Sequence, residues 1–130
     1  TTVILPDHSP DHSGEMVEYF GIPLASSSLS AKLIQKTKAR TLFLYAMRND
    51  QDGFDLHIET IDPNIYAGSA ADGTLIIHQA IEQLIERYPT HYHWSYKRFS
   101  ANPALKKIYD IDEAEALAKV AELRQHIQVQ

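Results

Sequence analysis

Apolar residues at Ile77, Ala80, Ile81, Leu84, Ile85 and Tyr88 follow the i, i+3, i+4, i+7, i+8, i+11 series of one helix face, the most regular pattern in the chain. The spacing predicts an amphipathic helix that stops at Tyr88, because Pro89 has no N–H to donate and disfavours α geometry in the residue before it. Asp72, in the loop 68–73, is placed to cap its start. The nearly continuous apolar run 41–47 predicts a strand covered on both faces. Turn formers at 49–53 follow, and Phe54, Leu56 and Ile58 then alternate with Asp55, His57 and Glu59, which predicts a hairpin whose second strand has one wet face. Residues 2–5, rich in β-branched side chains and bounded by Pro6, predict a short buried strand. The serines at 26–28 and 30 offer N-caps for a helix over 31–38 with Leu33, Ile34 and Thr37 facing inward. Asp112 and Glu115 form a capping-box pattern opening a C-terminal helix in which Ala116, Val120, Leu123 and Ile127 share a face. In order the elements run strand, helix, strand, strand, helix, helix, which predicts a three-layer α/β fragment with a mixed sheet flanked by helices.

Composition narrows this picture. A chain of 130 residues, 44% hydrophobic and 22% charged, suits one domain with a sizeable core and argues against disorder. No apolar run approaches the roughly 18–20 residues of a transmembrane helix. The absence of cysteine excludes disulfides and thiolate zinc sites. A net charge of -5 argues against nucleic acid held by the whole-protein field, while leaving room for a local basic patch. The chain opens on Thr1 and reaches Val3-Ile4-Leu5 with no signal peptide or polar lead-in, as if in mid-fold.

Candidate chemistry is sparse. Asp7-His8 and Asp11-His12 carry metal-binding residue types, but they are read as a polar loop, since loop spacing guarantees no convergence. Asp50, Asp52 and Gly53 lack the later ligands of a calcium loop. His91 and His93 share a side in extended chain without further ligands, and His78 reads as a hydrogen-bonded packing residue, so no metal site is predicted. Arg48, at the end of the buried run, is either a fixed cation suited to bidentate phosphate binding or a surface residue opening a hairpin. Lys97 and Arg98 stand among Tyr92, Trp94, Tyr96 and Phe99. The packing reading places Trp94 and Phe99 in the core with both cations snorkelling outward; the alternative is an anionic contact. Two basic residues in an acidic chain make a poor track for stacked nucleic acid.

One segment carries a family resemblance. Glu82 on the helix, Pro89, Tyr92-x-Trp94 and Lys97-Arg98-Phe99 resemble the C-terminal signature of the bacterial lipid A biosynthesis acyltransferases, which usually reads Gln-Tyr-Leu-Trp and then His-Arg-Arg-Phe. Pro6-Asp7 and Phe20-Gly21 match further family elements, whereas His78 stands where Asn is often expected. The resemblance implies a glycerolipid-acyltransferase-like fold and transfer of a fatty acyl chain from acyl carrier protein to a lipid A precursor. It implies no cofactor, and a place at the cytoplasmic face of the inner membrane. Substrate contacts are then expected at Asp7, Gly21, Arg48, Tyr92, Trp94, Lys97 and Arg98. Family catalysis uses a His-x4-Glu or His-x4-Asp motif, with His as base on the acceptor hydroxyl. Only His57 and Asp62 have that spacing, and in a strand residues five apart point to opposite faces. No catalytic residue is therefore assigned; the base and a membrane-anchoring helix are expected upstream of Thr1. Residues 1–130 are expected to be a single domain, the C-terminal part of a longer enzyme and inactive alone. A self-contained, non-enzymatic α/β binding module is the competing reading.

Overall fold

The computed structural model describes residues 1–10 and 14–128, with side chains as far as residue 125; Asp11, His12 and the side chain of Ile127 lie outside the described residues. The first element is a hairpin of β1 (Glu15–Tyr19) and β2 (Ile22–Ser26), with Tyr19 paired to Ile22. Its two-residue turn, Phe20-Gly21, has positive φ at both positions, 51° and 72°, as a type I′ turn requires. Gly21 meets that requirement freely, whereas Phe20 does so against the steric preference of a side-chain-bearing residue. Three side chains hold the turn. Phe20 N–H donates to Glu82 Oε1 at 2.6 Å, Arg124 donates to the Phe20 carbonyl at 2.8 Å, and His78 Nδ1 lies 2.7 Å from the Glu18 carbonyl.

Helix α1 (Leu29–Thr37) follows, and then a second antiparallel hairpin of β3 (Leu42–Arg48) and β4 (Phe54–Thr60). Asn49 closes that turn by accepting from Gln51 N–H and Gly53 N–H at 3.1 and 2.9 Å. The central helix α2 (Ala70–Arg87) begins at a reciprocal capping box in which Ser69 is the N-cap and Asp72, expected as the cap itself, is its partner at the third helical position; the helix ends before Pro89, as the proline predicts. Short 3₁₀ turns fill most of 89–110, and α3 (Glu113–Gln128) opens with Glu115 N–H donating to Asp112.

Tyr19, Ile22 and Leu24 of the first hairpin, Ala31 of α1, Ile77, Ile81 and Ile85 of α2, and Ile65 and Leu105 from the turns form the core. Within α1 the inward residues are Ser30, Ala31 and the half-buried Ile34, while Leu33 and Thr37 face out. Gly73 permits the close approach of α1 and α2: a Cβ there would lie 2.9 Å from both Ala31 Cβ and Gln35 Nε2.

The α/β mixture is as predicted, but the strands form two separate two-stranded antiparallel sheets, not one mixed sheet. Residues 2–5 are not a strand; no strand pairs with them among the described residues, and Val3 and Leu5 are exposed. The β3–β4 hairpin also differs from its pattern. Leu42, Leu44, Phe54, Leu56 and Ile58 share a face that is 49–63% exposed. The side expected to be wet is turned to α2, where Tyr45 donates to Glu59 at 2.5 Å and Arg87 pairs with the same carboxylate at 2.9 and 3.1 Å. Alternation identifies the apolar side of a strand, but it carries no information about whether another layer covers that side.

The Gly73 contact gives a direct test. Gly73→Ala should lower unfolding stability by about 1–3 kcal/mol, because the added methyl forces the two helices apart. Urea unfolding followed by circular dichroism measures this, and an unchanged midpoint would show that α1 yields without cost.

Candidate functional site

The segment after Pro89 cannot continue α2, and it winds through 3₁₀ turns that present its rings and cations in different directions. Lys97 adopts the left-handed region at φ 56°, which reverses the chain and turns Arg98 inward. Arg98 is 2% exposed. Its Nε donates to Asp7 Oδ1 at 2.9 Å; one terminal nitrogen donates to Ala25 O at 3.2 Å and Ser9 Oγ at 3.4 Å, and the other donates to Ser26 Oγ at 2.8 Å. The guanidinium also lies over the Tyr19 ring, 5.6 Å from its centroid. Four of its five N–H donors are thereby matched, which is what allows a permanently charged group to be buried.

Asp7 is held on both oxygens, since Tyr92 OH donates to Oδ2 at 2.8 Å. Burial, with the Asp7 charge adding, raises the Tyr19 phenol; burial likewise pushes Tyr92 up to about 12, so Tyr92 stays a protonated donor. Above the pair an open groove of about 330 Å³ is lined by Asp7, His8, Tyr92, His93 and Tyr96. Tyr96 OH accepts from Ser9 N–H at 3.0 Å and meets His8 Nδ1 at 3.1 Å, with the two rings edge to face. Trp94 stands edge-on to Tyr92, 5.0 Å between centroids, and donates to Pro89 O at 2.8 Å.

The structure thus brings Asp7, Tyr92, Trp94 and Arg98 together. Two expectations for this segment are reversed: Arg98 is buried, and Trp94 is 53% exposed. Phe99 does pack against the core, near Tyr19. The reversal follows from partners distant in sequence. Asp7 lies 91 residues from Arg98, whereas Trp94 has only a neighbouring ring and carbonyl to satisfy it. Lys97 is turned toward Asp110 at 4.0 Å and the Tyr109 ring. Gly21 serves the turn at the opposite end of β1–β2 from Ser26. Arg48 sits on the other hairpin, exposed, paired with Asp52 at 3.2 Å and lying over Phe54; the strand it ends is not the buried one that its run predicts. Sequence reasoning missed Ser9, Ser26 and Tyr19 as parts of this network, and only Tyr96, within the aromatic segment, carried a visible signal.

His57 and Asp62 do not form a dyad. The His57 ring stacks on Tyr45 at 4.9 Å, and the Asp62 carboxylate accepts from Asn64 N–H at 2.8 Å. Among the described residues no cluster could hold a metal ion. A second cavity, about 470 Å³ and lined by Glu59, Gln83, Glu86 and Arg87, contains the Arg87–Glu59 ion pair. Its Glu59 carboxyl is held down at about 2 by the hydrogen bond from Arg87 and then that from Tyr45.

The model of the family described as bacterial lipid A biosynthesis acyltransferase matches residues 1–101, a stretch that contains Asp7, Tyr92 and Arg98. The chain belongs to that family. A comparison with curated proteins returned no match. Within this member of the lipid A acyltransferases, the residues past the match remain tied to it: Asn102 donates to Pro23 O at 2.7 Å, and Arg124 reaches the Phe20 turn.

Two outcomes follow for stability. Arg98→Met should destabilise the protein by about 3–5 kcal/mol, the loss expected when one partner of a buried pair is removed. Arg98→Lys should recover little of it, since an ammonium cannot reproduce the planar fork. Denaturant unfolding tests both, and a near-neutral Arg98→Lys would sink the geometric argument. The second outcome concerns His78, whose pKa is lowered from 6.5 by burial, against the opposing effect of the Glu18 carbonyl. The folded state then binds fewer protons than the unfolded state, so this contribution is complete above the unfolded value and declines as pH falls below it. His78→Asn, which retains a donor and does not titrate, should have a flatter stability profile as pH falls below about 6.5. Equal slopes for the two proteins would remove His78 from the account.

Proposed function

We propose that this chain is the acceptor-binding part of an enzyme that moves a fatty acyl chain from acyl carrier protein to a lipid A precursor, and that the His-x4-acid dyad belongs to another part of that enzyme. The observation that carries the reading is the Asp7–Tyr92–Arg98 network, which joins two separated family elements under one open groove. Acyl transfer needs a base on the acceptor hydroxyl and an ordered acceptor. In this reading the residues around Asp7 supply the second requirement. No helix among the described residues is long and apolar enough to cross a membrane. In this reading, attachment to the cytoplasmic face of the inner membrane falls to the same part of the enzyme as the dyad.

The test is turnover. Given acyl carrier protein thioester and lipid A precursor, the 130-residue chain alone should form no product, while an enzyme that includes the dyad should. In that enzyme Tyr92→Phe should lower kcat/KM by about tenfold, chiefly through KM, as expected for loss of one hydrogen bond to a charged group. Product from the chain alone, abolished by His57→Ala, would overturn the assignment.

A further inference from the structure

We infer that the groove between Asp7 and Tyr96 holds a saccharide ring of the acceptor by stacking and by hydroxyl hydrogen bonds, and does not hold its phosphates; this rests on the acceptor reading above. The charge distribution decides against an anion. The Arg98 side chain is 1% exposed and four of its five donors are engaged by Asp7, Ser9, Ala25 and Ser26, so it presents no accessible edge. Lys97 points to Asp110, away from the groove. The carboxylate on the groove wall, Asp7, is already matched by Arg98 at 2.9 Å, so the pair leaves no uncompensated cation to hold a phosphate.

The same wall suits a neutral polyol. Each Asp7 oxygen accepts one bond, from Arg98 Nε or from Tyr92 OH, and a carboxylate oxygen has a second lone-pair site that a sugar hydroxyl can use. His8 and Tyr96, their planes at 79°, form a corner, and Tyr92 and His93 supply further ring surface for the apolar C–H face of a pyranose. These walls are preorganised. Asp7 is fixed by two donors, and Tyr96 by Ser9 N–H and His8, so little freedom is lost when a ring enters. The volume of about 330 Å³ lies at the small end of the roughly 300–1,000 Å³ range of ligand sites, which favours one ring over a folded lipid tail.

Trp94 is the sole tryptophan of the chain and stands against Tyr92, so its emission reports on this groove. Titration at about pH 8 with a free glucosamine disaccharide should give a saturable change in Trp94 fluorescence; inorganic phosphate at the same concentrations should give none. Tyr96→Ala should weaken saccharide binding by about three- to tenfold, the range expected for loss of one ring contact. Should that variant unfold, His93→Ala, whose side chain is exposed, should show a loss in the same range without a change in circular dichroism. A response to phosphate that equals or exceeds the saccharide response overturns the inference, as does a folded protein with no saccharide response or a His93→Ala variant that binds as well as its parent. Failure of saccharide binding alongside normal acyl transfer by the dyad-containing enzyme removes only the groove assignment. Saccharide binding without any transfer by the dyad-containing enzyme leaves the groove standing and removes the acyl-transfer reading.

Discussion

The burial of Arg98 is the constraint on which the other arrangements depend. A guanidinium cannot lose its proton to escape a poorly solvating interior, so the fold must bring acceptors to it or leave it outside. Its acceptors come from the loop holding Asp7 and Ser9 and from the end of β2 at Ala25 and Ser26. Neither segment satisfies the cation alone. The N-terminal loop, the first hairpin and the turn after α2 are therefore placed relative to one another by the same side chain. Tyr92 extends the constraint into the groove, because its hydroxyl closes the second oxygen of Asp7. The groove wall is thus an outer face of the buried network.

That dependence explains which parts of the fold could be read from the sequence. Helix α2 was legible because its apolar stripe, its Pro89 stop and Asp72 in its capping box are local features, although Ser69 as the N-cap was not read. The Asn49 turn and the Asp112 cap were legible for the same reason. The β1–β2 hairpin was not. Its strands are five residues each, and its turn places Phe20, not Asn or Asp, at the first position with positive φ. What makes Phe20 tolerable there is supplied from elsewhere: Glu82 takes its N–H, and Arg124 takes its carbonyl. The depths of Arg98 and Trp94 were inverted for a related reason. Intrinsic polarity predicts them correctly only when no distant partner intervenes, and here Asp7 does.

The electrostatic consequence reaches the site itself. Sequence alone offers Arg48, Lys97 and Arg98 as contacts for an anionic substrate. In the folded chain each meets an acid: Asp52, Asp110 and Asp7 respectively. The first two pairs are exposed and weak, so solvent screens them and they contribute little to stability. The third is buried and structural. The groove that we propose for the acceptor is accordingly read through its shape, rings and hydroxyl partners, not through a free cation.

The same logic sets how the C-terminal residues relate to the family-matched stretch. Were residues 102–128 an appendage, their contacts with the rest would be replaceable surface pairs. Instead Leu105 is part of the core, Val120 and Leu123 pack against it, and Asn102 is buried while donating to β2. Arg124 then reaches back 104 residues to the carbonyl of Phe20, in a turn with positive φ at both positions. A turn with a side-chain-bearing residue in the left-handed region persists only where its surroundings over-determine it. At Phe20 the surroundings are Glu82 from inside the match and Arg124 from outside it. The geometry of a family element in this protein therefore depends partly on residues beyond the family pattern, and a description confined to the matched stretch would leave that turn half supported.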